Sequence, residues 1–364
     1  MAKKKLVLFY AIMFVFSILS VGFLGEVMLR LVYDDLPPED SYSNIFGRES
    51  TFDLPYMRPS NSGFMWSTEY REVELSSNSA GYRDADWNSK KQKPIMILGD
   101  SFGWGWGCHA DSMITSQLGM AYRACSFYNL CIPGDDLYSM FLRYQLHKHE
   151  INPEEIVIIN YINDFFKPGY QDSVMHELVQ KNLDFMKIHT KITFPGENNS
   201  AFMNGLQSSF LFRYLVRWFR MNISQSSSGS SQENLLRKGF KNDIKFFKNA
   251  DHLKLSLDLY RMILEELSTN SKVTIVYIPP HYAVDVKKMN QLVRLFPNDA
   301  LHPELVGNAL KKVATSLNNV TFIDLTEFLR KQNNVKPVYF ELDSHLSPFG
   351  QKSVGQYLVS KELF

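Results

Sequence analysis

A short apolar run ends abruptly at a serine in Ile95-Met-Ile-Leu-Gly-Asp-Ser-Phe-Gly-Trp-Gly-Trp-Gly107, where glycines then alternate with aromatics. A strand that stops at a serine beside a tight turn exposes the hydroxyl of Ser101, and small neighbours let a substrate carbonyl come close to the backbone. Serine is a weak nucleophile alone. It needs a base to take its proton, an acid to orient the base, and donors preorganised for the developing oxyanion. Gly99-Asp-Ser-Phe-Gly103 also fits Gly-x-Ser-x-Gly, the nucleophile elbow of α/β hydrolases. In that fold several strands precede the serine, whereas here Ser101 follows the first convincing strand of the soluble part.

The elements that must position this serine can be read from periodicity. Ile95–Leu98, Phe127–Leu130, Glu155–Tyr161, Val273–Ile278 and Thr321–Ile323 are short, continuous apolar runs that predict strands. Asp111–Arg123, Asp136–His147, Leu253–Leu267 and Leu301–Leu317 predict helices between them. Such alternation predicts an α/β fold, a three-layer sandwich around a central parallel sheet. A parallel strand delivers its last residue to the carboxyl edge of the sheet, where open α/β folds bind ligands.

Lys3-Lys4-Lys5 precedes Leu6–Leu24, 19 uncharged and almost wholly apolar residues. This is long enough to span a bilayer as one transmembrane helix. The lysines favour a cytoplasmic N-terminus and an extracytoplasmic remainder. A cleaved signal peptide is the alternative, although no Ala-x-Ala site is evident. The expected organisation is an anchor at 1–30, a juxtamembrane linker and lead-in at 31–93, and a catalytic domain at 94–364. The alternation fails over about 167–250, which reads as an insertion. Ser208–Met221 within it predicts a helix carrying Arg213, Arg217 and Arg220, suited either to an anionic membrane surface or to packing with solvated arginines. Ser224–Gln232 has the composition of a flexible loop.

The net charge of +1 gives no reason to expect a nucleic-acid partner. Cys108, Cys125 and Cys131 cannot build a disulfide framework, and they read as buried apolar residues. No metal-ligand cluster or phosphate loop is visible, so no cofactor is expected.

Four blocks in order resemble the SGNH, or GDSL-type, hydrolase superfamily. Gly99-Asp-Ser101 resembles its nucleophile block. Asn129-Leu-Cys-Ile-Pro-Gly134 resembles its glycine block after the second strand. Tyr161-Ile-Asn-Asp164 is similar to Gly-x-Asn-Asp after the third, with Tyr161 in place of glycine. Asp343-Ser-His345 resembles the closing Asp and His, with one residue between them where the common pattern has two. Asn78–Asp84 further resembles the lead-in of membrane-anchored bacterial members.

The resemblance implies a membrane-anchored serine esterase acting on acyl or acetyl esters of a lipid or glycan. O-acetyl transfer to, or deacetylation of, a cell-surface polysaccharide is the alternative, and a non-catalytic binding module is a second. It implies Ser101 as nucleophile and His345 as base, with His281 in Ile278-Pro-Pro-His281 as the rival imidazole. Asp343 would orient the base, with Glu341 as a rival acid. The N–H groups of Ser101 and Gly134 and the side-chain amide of Asn163 would form the oxyanion hole. Asp100 and Asp164 read as structural acids that hold the loops. Trp104 and Trp106 line the cleft or fill the core.

Overall fold

The computed structural model describes residues 2–32, 45–49, 55–87 except 66, 68 and 71, 93–164, 192–193, 209, 211–212, 214–215, 250–297 and 301–364. Four of the five apolar runs are buried almost throughout, the edge run at Val320–Asp324 being part-exposed, and only helices laid over both faces of one parallel sheet can bury such strands. In chain order the strands are β1 (Phe46–Glu49), β2 (Pro55–Met57), β3 (Ser62–Met65), β4 (Val73–Ser76), β5 (Lys93–Gly99), β6 (Cys125–Asn129), β7 (Glu155–Asn160), β8 (Ile192–Thr193), β9 (Lys272–Tyr277) and β10 (Val320–Asp324). The central sheet runs β10-β9-β7-β5-β6, and every pairing in it is parallel. Numbered within the sheet this is the order 2-1-3-4-5 of flavodoxin-like doubly wound folds, whose ligand crevice opens between strands 1 and 3. Here that switch point lies between the carboxyl ends of β5 and β7, where Gly99 pairs with Ile159.

The helices are α1 (Ala2–Val32), α2 (Ser101–Trp104), α3 (Ile114–Ala121), α4 (Leu137–Ile151), α5 (Ala250–Leu267), α6 (His281–Val284), α7 (Val286–Leu295), α8 (Leu305–Thr315), α9 (Thr326–Asn333) and α10 (Pro348–Val359). Helix α10 packs on α3 and α9, while α5 packs on α4 and α8, which gives the two outer layers. The predicted helix over Asp111–Arg123 is shorter than its pattern. Its first turn is a 3-10 turn at Ala110–Ser112, and Met113 then takes an extended conformation before α3 begins.

Residues 55–87 do not simply lead up to the sheet. β3 and β4 form an antiparallel pair, and β1 pairs antiparallel with both β2 and β8. Arg83 is buried, and its guanidinium donates to the carbonyls of Trp104 (3.3 Å), Gly105 (2.8 Å), Glu74 (3.3 Å) and Cys108 (2.6 Å). The lead-in thus ties down the loop that follows the serine. Within Ile12–Val32, α1 is apolar enough to cross a membrane, with a mean hydropathy of 2.2. Most of the expected insertion, including Arg213, Arg217, Arg220 and Ser224–Gln232, lies outside the described residues.

Candidate active site

Asp100 directly follows β5 and caps α2 by accepting from Phe102 N at 2.8 Å. Ser101 is therefore the first helical residue, where backbone N–H groups lack an intrahelical partner. Glycine is needed beside it for space: a Cβ on Gly103 would overlap Cys131 Sγ. The side chain of Ser101 meets two acceptors, His345 Nε2 at 2.8 Å and Asp100 Oδ2 at 3.1 Å. Its single proton can go to either. His345 Nδ1 bonds Asp343 Oδ1, so the ring bridges serine and carboxylate.

Asp343 and His345 face one way although one residue separates them. Ser344 between them has φ +65°, a left-handed conformation uncommon for a non-glycine residue. Flanking contacts hold the turn, with Phe340 N donating to His345 O at 2.8 Å and Ser347 N to Val338 O at 2.9 Å. Glu69 accepts from the N–H groups of Leu342 and Asp343 at 2.8–3.0 Å. Asp343 Oδ2 accepts from Tyr70 Oη at 3.1 Å and Trp106 Nε1 at 2.9 Å. Burial alone would raise the Asp343 carboxyl pKa, but the bond and charge of His345, with the Trp106 and Tyr70 donors, leave it below its ordinary value. Its ionised form therefore contributes stability above the unfolded carboxylate pKa of about 3.9, and that contribution is lost as pH falls through the lower folded value. The Trp106 ring also stacks on His345, 5.1 Å between centroids and 20° between planes.

The rival residues have other partners. Glu341 takes Lys288 Nζ at 2.7 Å. His281 is buried, stacks on Tyr339 at 4.8 Å and lies 3.8 Å from Asp285. Burial, then the nearby Lys288, lowers the His281 pKa to about 4, so the ring is neutral at pH 7. Trp104 is wholly buried, with Nε1 3.2 Å from Met57 Sδ, and belongs to the core; Trp106 reaches the site. Tyr161, which stands where the resembling pattern has glycine, stacks on Phe102 at 4.1 Å.

Gly134 and Asn163 are both exposed at the carboxyl edge. Gly134 has φ +84° in the turn closed by Asp135 N and Ile132 O, a conformation that glycine adopts readily. The next residue, Asp135, forms a buried ion pair with Arg143 of α4, which fixes this loop on the sheet. The side chain of Asn163 bonds the Asp100 carboxyl.

Asp100 and Asp164 are both fully buried. Burial comes first, and the Asp100 charge second, in pushing Asp164 well above the carboxylate range. Its Oδ2 accepts from Tyr161 N at 2.7 Å and from Asn160 Nδ2 at 3.3 Å. A carboxyl whose folded pKa is raised costs stability as pH rises above the unfolded carboxylate pKa of about 3.9. Asp164→Asn keeps an acceptor without the titration. It is expected to hold turnover within a few-fold and to flatten the fall in unfolding midpoint as pH rises above the unfolded carboxylate pKa of about 3.9. Asp164→Ala removes the acceptor of Tyr161 N and Asn160 Nδ2, at about 1–3 kcal/mol. Thermal unfolding across pH, with ester turnover, separates the two.

Sequence reasoning did not find Glu69, Tyr70 or the stacking of Trp106. The first two lie more than 270 residues from the Asp343 they contact. No local pattern marks such a pairing.

The fold and site together define a doubly wound parallel α/β domain with a Ser–His–Asp chain of hydrogen bonds at its switch point. No protein-family model matches this chain, and no curated protein does. Among solved structures it is similar to an acetyl xylan esterase, AlAXEase, at 14% identity and TM-score 0.39, covering 73% of this chain and 98% of that one. It is also similar to a lipolytic protein of the G-D-S-L family from Veillonella parvula, at 12% identity and TM-score 0.38, covering 74% and 97%. A third is a GDSL-like lipase from Parabacteroides merdae, at 11% identity and TM-score 0.39, covering 75% and 96%. The fold class stands on this chain's own strand order and layers.

Proposed function

We propose that this chain is a serine ester hydrolase, anchored in a membrane by α1, that cleaves acyl or acetyl esters outside the cytoplasm. Residues 1–30 form the anchor, and 94–364 form the catalytic domain with an insertion at about 167–250. The observation that carries the chemistry is the 2.8 Å approach of His345 Nε2 to Ser101 Oγ, with Asp343 on the other ring nitrogen. In this reading Ser101 Oγ attacks the ester carbonyl carbon while His345 Nε2 takes its proton. The negative charge that forms on the carbonyl oxygen meets the N–H groups of Ser101 and Gly134 and the Asn163 amide. The intermediate collapses as His345 gives the proton to the departing alcohol, leaving an acyl-Ser101. Water then attacks, with His345 again as base, and releases the acid. Asp343 holds the ring tautomer and balances the imidazolium charge.

The direct test is labelling of the full chain with a fluorophosphonate. A phosphonyl group mapped to Ser101 by peptide mass supports the reading, and an unlabelled protein refutes it.

Asn163→Ala is expected to lower kcat by about 10²–10³ with a small change in KM, because a donor aimed at the oxyanion acts mainly in the transition state. Steady-state kinetics on a p-nitrophenyl ester check this. An effect confined to KM would make Asn163 a substrate-binding group only.

A further inference from the structure

The chain that joins β3 to β4 carries Ser67, Glu69, Tyr70 and Glu72 at the tip of an antiparallel hairpin. The tip has a fixed shape. Ser67 N donates to Tyr70 O at 2.8 Å, and Glu69 N donates to Ser67 Oγ at 3.1 Å, a serine turn closed two residues on. Glu72 then enters β4 through a left-handed φ of +47°. Glu69 and Tyr70 are thus presented together, and both reach the loop of the catalytic acid.

The Tyr70 ring is buried in a slot between the backbone at Gly107 and the ring of Phe340. A Cβ on Gly107 would lie 2.7 Å from Tyr70 Cδ1 and 2.8 Å from Phe340 Cε2, and Gly107 has φ +67°. Space and backbone conformation both ask for glycine there. The Tyr70 and Phe340 rings lie 5.1 Å apart between centroids, tilted by 52°. Seated in this slot, the Tyr70 hydroxyl donates to Asp343 Oδ2 at 3.1 Å and accepts from Trp106 Nε1 at 2.9 Å. Trp106 Nε1 is also 2.9 Å from Asp343 Oδ2. The Asp343 oxygen that does not bond His345 is therefore met from the hairpin tip and from the loop after α2. Glu69 takes the N–H groups of Leu342 and Asp343, the two residues just before the left-handed Ser344.

These contacts bear on catalysis through one group. A carboxylate held only by its bond to the imidazole can turn about its own side-chain torsions, and the tautomer of His345 then loses its orienter. The strained turn at Ser344 likewise persists only where its surroundings determine it. We propose that Glu69 and Tyr70 are positioning residues of the reaction: the β3–β4 tip fixes the Asp343 carboxylate against His345 and holds the turn between them. The catalytic unit then begins upstream of residue 94, and the lead-in is a component of the site. The inference rests on the reading of Ser101, His345 and Asp343 as a catalytic chain.

The test uses the full chain. Tyr70→Phe keeps the ring in its slot and removes only the hydroxyl, and Glu69→Ala removes the acceptor of the two N–H groups. Each is expected to lower kcat on a p-nitrophenyl ester by roughly 10-fold or more, as a misplaced catalytic group does, with little change in KM. A role confined to stability would lower the melting point and leave kcat at the parental value. A double-mutant cycle adds a readout that a structural role would not move. If Tyr70 acts through the carboxylate, removing the carboxylate removes its effect. Tyr70→Phe should slow fluorophosphonate labelling of Ser101 by about 10-fold in the parent and leave the labelling rate of Asp343→Ala unchanged. Equal fold losses in the two backgrounds, or parental kcat in both single variants, overturn the positioning role and leave the serine hydrolase standing. A parent that neither turns over the ester nor takes the label overturns the hydrolase reading and this inference with it.

Discussion

Ser101→Ala is expected to abolish hydrolysis of a p-nitrophenyl ester, with a loss on the order of 10⁶ in kcat, while the fold is kept. The change removes one oxygen from a buried position and leaves the backbone of α2 untouched. One hydrogen bond goes with it, the hydroxyl's to His345 Nε2 or to Asp100 Oδ2. Neither partner is stranded. His345 Nε2 still faces the cleft, and Asp100 keeps Phe102 N. The stability cost is therefore about 1 kcal/mol, that of an ordinary hydrogen bond. Turnover and a circular-dichroism melt on the same preparation check both halves. Residual activity within a few-fold of the parent, on an intact fold, would mean that another group attacks the ester.

Asp343→Asn should cost up to about 10⁴ in kcat, because an amide in place of the carboxylate favours the wrong imidazole tautomer and no longer balances the imidazolium. Glu341→Gln should change turnover little, since Glu341 pairs with Lys288 rather than with the imidazole. The contrast is diagnostic because the two acids are two residues apart, so both substitutions perturb one loop. The environment of Asp343 makes the substitution informative. Trp106 Nε1 and Tyr70 Oη still find an acceptor in the oxygen of the introduced amide if that amide turns its NH₂ towards His345. That orientation presents a donor to Nδ1 and forces the proton onto Nε2, where it blocks removal of the serine proton. A crippled Glu341→Gln beside a mild Asp343→Asn would reverse the assignment of the acid and leave the serine mechanism intact.

The strands were legible because they are short apolar runs, buried almost throughout in all but the edge strand β10, a pattern that composition alone announces. Ile95–Leu98 read as a strand extends to Lys93–Gly99, and Val273–Ile278 lies at Lys272–Tyr277. The helix at Asp111–Arg123 was read too long, because polar helix formers continue the pattern across a break at Met113 that only the φ and ψ angles reveal. Helices α6, α7 and α9 went unread. They are short, and α7 buries only Lys288 and Leu292, too few apolar positions to fix a period.

For the candidate site, the sequence alone determined that a serine ends the first strand of the sheet and that an Asp-x-His pair closes the chain. It also determined that a glycine and an asparagine follow the second and third strands. Local order suffices for these, since a strand-to-helix turn is set by neighbours. Which acid faces the imidazole was decided by the tertiary structure. Spacing leaves Glu341 and Asp343 equal, and the difference comes from Lys288 on α7, from Trp106 after α2, and from Glu69 and Tyr70 in the lead-in. The left-handed turn at Ser344 is likewise invisible in the sequence. A serine there is an unfavourable local choice, held by contacts that exist only once the chain has brought its two ends together.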